Sequence, residues 1–232
     1  MKSIVVGITL AAVAFVAAPS MHAQAPDLQQ KLAAAKQSAA ANQKALRSYS
    51  WLEKSELSLK GEVKSTKVDM CKYGPDGKVQ KTPVVEPPPP QKKGGLRGKA
   101  IAKKTGEMKE ELEAAVALVQ QYLPPSPDLM QVVMNSGTAS ISQAGPGMAA
   151  LKFPGYVKKG DALALTFDAN VKALRQIDVT TWLDEPENAV NFKITMESLP
   201  DGTSHPATVL LSIPKRQIDV KITKSNYQRL AQ

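Results

Sequence analysis

A single cysteine, Cys71, and two histidines, His22 and His205, are all that 232 residues offer of these types. An intrachain disulfide, a Cys/His zinc cluster and a CxxC redox pair are thereby excluded. No glycine-rich phosphate loop follows a strand; Gly145-Pro146-Gly147 reads as a turn. Acidic residues are absent from Gln91 to Lys104, where Lys92, Lys93, Arg97, Lys99, Lys103 and Lys104 stand among glycines. What is present is ordinary for a folded chain. With 43% apolar and 22% charged residues a real core can form, and the length suits one domain or at most two small ones.

The one long apolar run lies at the start. Ile4 to Ala18 carries no charge and follows Lys2. As a helix it spans roughly 22 Å, short of the roughly 30 Å of a bilayer core, so it reads as a secretory signal peptide over residues 1–23. The cut is expected after Ala23; a cut after Ala25 would leave Pro26 directly behind it. No cysteine near either position allows lipid acylation. The expected product is exported, periplasmic and soluble after cleavage. It loses Lys2, one of the 30 basic residues, so the net charge falls from +9 to +8. It also loses His22.

From Asp27 to Tyr49, Leu28, Leu32, Ala35, Ala39, Leu46 and Tyr49 share a helical stripe that Asn42 interrupts, and Asp27 is placed to cap it. The period then changes to two. Trp51, Leu57 and Leu59 share one parity, and Val68 and Met70 share one on the next run. Strands are expected near 50–60, 62–73 and 78–84, turning at Lys60-Gly61 and Gly74-Pro75-Asp76-Gly77. Pro83 and Pro87 to Pro90 end this segment. Residues 83–104 are expected to form a Pro-rich, basic, flexible insertion.

Regular structure is expected to resume with a helix over 105–123, capped by Thr105, with Met108, Leu112, Ala115, Val116, Val119 and Tyr122 on its apolar face. Ser126-Pro127 opens a short second helix to 135, apolar almost all round and expected to be buried. Beyond Gly137, alternation in segments such as Leu163-Phe167, Val190-Met196, Ala207-Ile213 and Ile218-Ile222 predicts sequential antiparallel strands with one dry face. The fold class is α+β.

Three groups of residues carry this order: the helix ending Leu46-Arg47-Ser48-Tyr49, the hairpin from Trp51 to Tyr73, and the closing run Ile218-Asp219-Val220-Lys221-Ile222 to Tyr227. In this the chain resembles the LolA/LolB-like superfamily over most of 27–227. The resemblance implies a single domain over 24–232, built as a curved antiparallel sheet. That sheet would be an incomplete half-barrel, with an N-terminal helix and a helix pair covering its concave face. An apolar cavity for acyl chains is implied too. The Pro-rich insertion departs from the pattern, as does the lack of a match to the carrier's lid arginine, so no functional residue is carried over.

Enzyme chemistry is short of residues. His205 precedes Pro206 just after a turn and reads as a solvated loop histidine. Cys71 has no histidine of matching context and reads as a structural or free thiol. Asp184, Glu185 and Glu187 read as an acidic turn. No catalytic residue, metal site or cofactor is assigned. The cavity lining expected is Trp51, Leu57, Met70, Met108, Leu112, Met130 and Met134, the methionines serving either as deformable ligand contacts or as plain core.

The six bases of the insertion suit anionic headgroups or simply solvent. The implied partner is a lipid or a lipidated protein, with membrane-surface contact through the basic loop. Nucleic acid is set aside by export. The function read from this is non-enzymatic binding of an apolar ligand or acyl moiety. The alternative is an envelope interaction or sensor module with a solidly packed sheet.

Overall fold

The computed structural model describes residues 40–84, 96–171 and 173–230. The expected leader, the first part of the N-terminal helix, the Pro87 to Pro90 run, Lys92 and Lys93 lie outside these residues. Within them the chain forms a helix over 40–46 (α1), then β1 (Tyr49–Leu59), β2 (Glu62–Tyr73) and β3 (Val79–Pro83). Two helices follow, α2 (Leu96–Gln120) and α3 (Pro127–Asn135). A run of seven strands completes the fold: β4 (Ser140–Gly145), β5 (Met148–Pro154), β6 (Ala162–Asp168), β7 (Ala173–Trp182), β8 (Ala189–Ser198), β9 (Ser204–Ile213) and β10 (Ile218–Arg229).

All ten strands belong to one open antiparallel sheet in the order β3-β2-β1-β10-β9-β8-β7-β6-β5-β4. Every sequential pair after α3 is a hairpin, as the alternation requires. The single long-range join is β10 against β1, running from Leu59 opposite Ile218 to Tyr49 opposite Arg229. It unites the two strand groups on either side of the helices. The β1–β2 turn has both central residues, Lys60 and Gly61, at positive φ (55° and 77°), the requirement of a two-residue hairpin whose twist matches its strands.

One face of the sheet carries the core. Cross-strand register aligns Leu57, Val220, Leu211, Phe192, Val179, Leu163 and Phe153 in one row. The second half of α2 lies on this row's β8–β10 end: Ala115 and Val119 are buried among Val190, Leu211, Ile213 and Ile218. Val133 of α3 and Tyr122, just past α2, pack with Phe153, Leu163, Leu165, Ile177 and Val179 on β5–β7. Deleting a buried apolar side chain from such a layer typically removes about 2–5 kcal/mol.

The fold departs from the sequence expectations at four places. First, α2 begins at Leu96 and not at Thr105. Leu, Arg, Lys and Ala favour helix strongly enough to absorb Gly98 and Gly106, and Lys103 sits 3.9 Å from Glu107, one turn on. The stretch 96–104, expected to be a flexible loop, is therefore helical, and Thr105 lies inside the helix and not at its start. Second, α1 ends at residue 46 and Tyr49 opens β1.

Third, α3 is not buried all round. Ser126 caps it as expected, its hydroxyl accepting from Leu129 N at 3.4 Å, but only Val133 is buried and Val132 is 64% exposed. A nine-residue helix lying on a sheet can hide only one stripe. Fourth, His205 belongs to β9, is buried, and packs its ring 4.1 Å from that of Tyr227.

Among the described residues no helix is long and apolar enough to cross a membrane.

Candidate functional site

Two regions on the core face of the sheet carry clustered polar chemistry. The first is a recess of about 510 Å³ between α2 and the end of the β1–β10 seam. Its floor is Leu59 at the end of β1, Ile218 opposite it on β10, and Met108 of α2. Its rim is charged: Lys60, Glu62 and Lys64 from the β1–β2 hairpin, Glu107 and Glu111 from α2, and Arg216 from the short 3₁₀ turn Pro214–Arg216.

Two tight turns build one wall. Gln217 adopts a left-handed conformation (φ 54°) that reverses the chain into β10. Its carbonyl then accepts a hydrogen bond from Lys60 N at 2.8 Å, joining the two turns. The opposite wall is held by Arg216, whose Nε lies 2.8–2.9 Å from both carboxylate oxygens of Glu111. That carboxylate keeps the guanidinium above its ordinary pKa. Lys64 pairs with Glu62, and that ammonium holds the Glu62 carboxyl below its ordinary range. The rim charges thus largely neutralise one another. A volume of this size with an apolar floor and a few polar groups at its mouth is the usual form of a small-molecule pocket.

Of the residues expected to line a cavity, Met108 does so. Leu57 and Leu112 lie beside it, packed against the β8–β10 core, while Met130 and Met134 pack beneath α3 in the other cluster. Trp51 is buried in an aromatic group at the far end of β1, stacked on Tyr227 at 5.7 Å and tilted against Tyr73 at 5.4 Å. Met70 is on the opposite side of the sheet and 41% exposed. Trp51 pairs with Cys71, and Met70 pairs with Leu52. Leu59, Ile218 and Arg216 had no signal of their own as cavity residues. The Lys60-Gly61 turn was legible, but its partner turn at Pro214–Gln217, far along the chain, was not.

The second region surrounds Trp51. Glu53 and Asp69 are directly opposed on β1 and β2, and both are almost wholly buried. Two lysines from other strands neutralise Glu53: Lys81 of β3 binds one carboxylate oxygen, and Lys224 of β10 lies 3.7 Å from the other. Asp69 is 3.0 Å from Lys67. Burial pulls the Lys81 ammonium down, and the contact with Glu53 outweighs it, leaving the pKa raised.

Cys71 between them is fully buried. Burial and then the Glu53 carboxylate push its thiol pKa up, so it is a poor nucleophile. Asn42, the polar break in the helical stripe, is explained here. Its side chain donates to Ser204 O at 2.7 Å and accepts from Ser204 N at 2.6 Å, tying α1 to the start of β9.

Nearby, the Tyr49 hydroxyl donates to Asp201 Oδ2 at 2.5 Å. This bond, with those from Thr203, holds the Asp201 carboxyl down at about 2. A depressed carboxylate stabilises the folded chain above its unfolded pKa, and that contribution is lost as pH falls through the folded value. Asp201→Asn is therefore expected to flatten the decline of stability between about pH 4 and pH 2. Urea unfolding at a series of pH values checks this; an unchanged acid limb would dismiss the assignment.

Asp184, Glu185 and Glu187 are exposed in the turn before β8. Among the described residues no cluster of three or more His, Cys, Asp or Glu is placed to hold a metal ion. Comparison with family models, with curated proteins and with solved structures finds no match for the chain.

Proposed function

We propose that this chain is an exported, non-enzymatic binding protein of LolA/LolB-like architecture. Its open sheet would curve into a half-barrel around α2 and α3, and the recess beside Met108 would hold the apolar chain of a lipid or of a lipidated partner. The observation that carries this reading is the recess itself: about 510 Å³, floored by Leu59, Met108 and Ile218, and rimmed by paired charges. An amphiphile's chain loses water contact on such a floor, at about 25 cal/mol per Å² buried, while its polar end stays among the rim residues. The first turns of α2 are basic in sequence, with Arg97, Lys99, Lys103 and Lys104 and no acid before Glu107, a composition suited to an anionic surface.

Native mass spectrometry after gentle purification, followed by titration with palmitate and a lysophospholipid, tests the reading. Bound or acquired amphiphile is expected. Met108→Trp, which fills the recess, should weaken uptake by about tenfold, equivalent to about 1.4 kcal/mol, with little change in Tm. A protein that is isolated ligand-free and takes up neither probe would sink the proposal.

A second reading has an observation in its favour. The middle of the core face is filled, with Ala115, Tyr122, Leu163 and Val190 fully buried, and the recess lies toward one end. A sheet so packed suits an envelope interaction or sensor module that works through its surface and edges.

A further inference from the structure

The two edges of the sheet differ in kind. The β3 edge is five residues long and ends at Pro83, which has no amide to donate, and Lys81 sits at its centre. These are the usual devices that stop a sheet from growing. The β4 edge has none of them. Ser140-Ile141-Ser142-Gln143-Ala144-Gly145 carries no charge and no proline, and no charged residue occurs between Asp128 and Lys152. Among the described residues β4 pairs only with β5, so half of its backbone amides and carbonyls face away from the sheet. Its side chains are exposed almost throughout.

Ile141 is the informative side chain. It opposes Leu151, which opposes Leu165, so it faces the same side as the core and α3. It is nevertheless 75% exposed, the most exposed large apolar residue described. Val132, on the outer surface of α3, is the next.

We propose that the β4 edge is a homodimer interface, on which the β4 strand of a second copy pairs antiparallel about a twofold axis perpendicular to the sheet. Charge and closure choose this occupant. The chain carries a net +9, and most of its surface would set like charges against one another if two copies met. At β4 no charge meets its own image.

Twofold antiparallel pairing keeps side chains of one parity together. With Ile141 opposite Ile141 of the second copy, Ser140 falls opposite Ser142, and the two isoleucines cover each other on the core side. Growth in the other direction is blocked, because β4 on the β3 edge of another copy would meet Lys81 and Pro83. The contact therefore closes as a pair and does not propagate as a fibre.

Sedimentation velocity over a concentration series, with the wild type, Ile141→Lys and Ile141→Glu measured singly and the two variants mixed, tests this. The wild type is expected to form a reversible dimer. Each variant alone opposes like charges across the axis and should dissociate at concentrations about tenfold higher or more. The mixture of the two should recover the dimer through a Lys–Glu pair, a result that a merely destabilised fold would not give. A wild type that stays monomeric throughout, leaving the edge for another protein's strand or for none, overturns the proposal. So does a dimer that persists in both single variants, or a mixture that stays monomeric.

Discussion

Replacing Tyr122 by alanine is expected to lower the unfolding free energy by about 3–5 kcal/mol, the range for removing a buried aromatic side chain. Three elements meet at this residue. The ring is fully buried beside Tyr156, centroid to centroid 5.9 Å. The hydroxyl donates to Asp161 Oδ2 at 2.5 Å, in the loop before β6, and lies 2.9 Å from the hydroxyl of Thr181 on β7.

Asp161 has no counter-ion among the described residues. Its Oδ2 also accepts from the amides of Val157 and Lys158, at 3.1 and 2.8 Å. Burial first, and then the bond to Asp161, push the Tyr122 phenol far above its ordinary pKa, so it remains a donor at any physiological pH. Tyr122→Phe keeps the ring and removes one donor from a buried carboxylate, and should cost about 1–3 kcal/mol. Urea denaturation of both variants measures the two terms. If Phe were as damaging as Ala, the hydrogen bonds and not the ring would hold the end of α2 to the sheet; if Phe were neutral, the Asp161 contact would carry nothing.

Glu53→Ala is expected to cost about 3 kcal/mol. Opposed carboxylates at cross-strand distance repel, so Glu53 and Asp69 stand together only because lysines from three strands surround them. Removing Glu53 leaves Lys81 and Lys224 facing a buried site with one acid fewer. Breaking a buried pair typically costs about 3–5 kcal/mol, and the lower end applies here because Lys81 is partly exposed. Apolar replacement of both members behaves differently, since two desolvation penalties go together with the attraction. Glu53→Leu combined with Lys81→Met should therefore recover most of the loss. Thermal and urea unfolding of the single and double variants decide it; a double variant less stable than Glu53→Ala would show that the ion pair itself is needed to set strand register.

Alternation located eight of the ten strands closely, because a strand with one dry face repeats every two residues whatever its neighbours do; β4 and β5 carry no such run, and β4 has no dry face to produce one. Parity within a strand says nothing about register between strands. Trp51 and Met70 each sat on an alternating run, yet the pairing of Trp51 with Cys71 puts Met70 on the other face.

At His205 the local signals, a nearby turn and Pro206, point to a loop. Its burial depends on Tyr227, a residue 22 positions on that a bulge at Asn226 (φ 53°) returns to the core face. The glycines and lack of acids in the basic stretch before Thr105 point to a loop. Its backbone continues α2 instead, because good helix formers around two glycines keep the helix going.

By itself the sequence determined most of the element types, the antiparallel hairpin order, the capped start of α3 and the poverty of Cys and His. These depend on local periodicity, turn chemistry and composition. Only the tertiary structure decided which strands are neighbours across the gap between β1 and β10, and therefore where the recess beside Met108 opens, how Glu53 and Asp69 are neutralised, and which edge is left uncharged and open. Each of these depends on residues far apart in the chain meeting in one register. No local pattern encodes that register, because it is set by the simultaneous burial of β5–β10 and the end of β1 against α2 and α3.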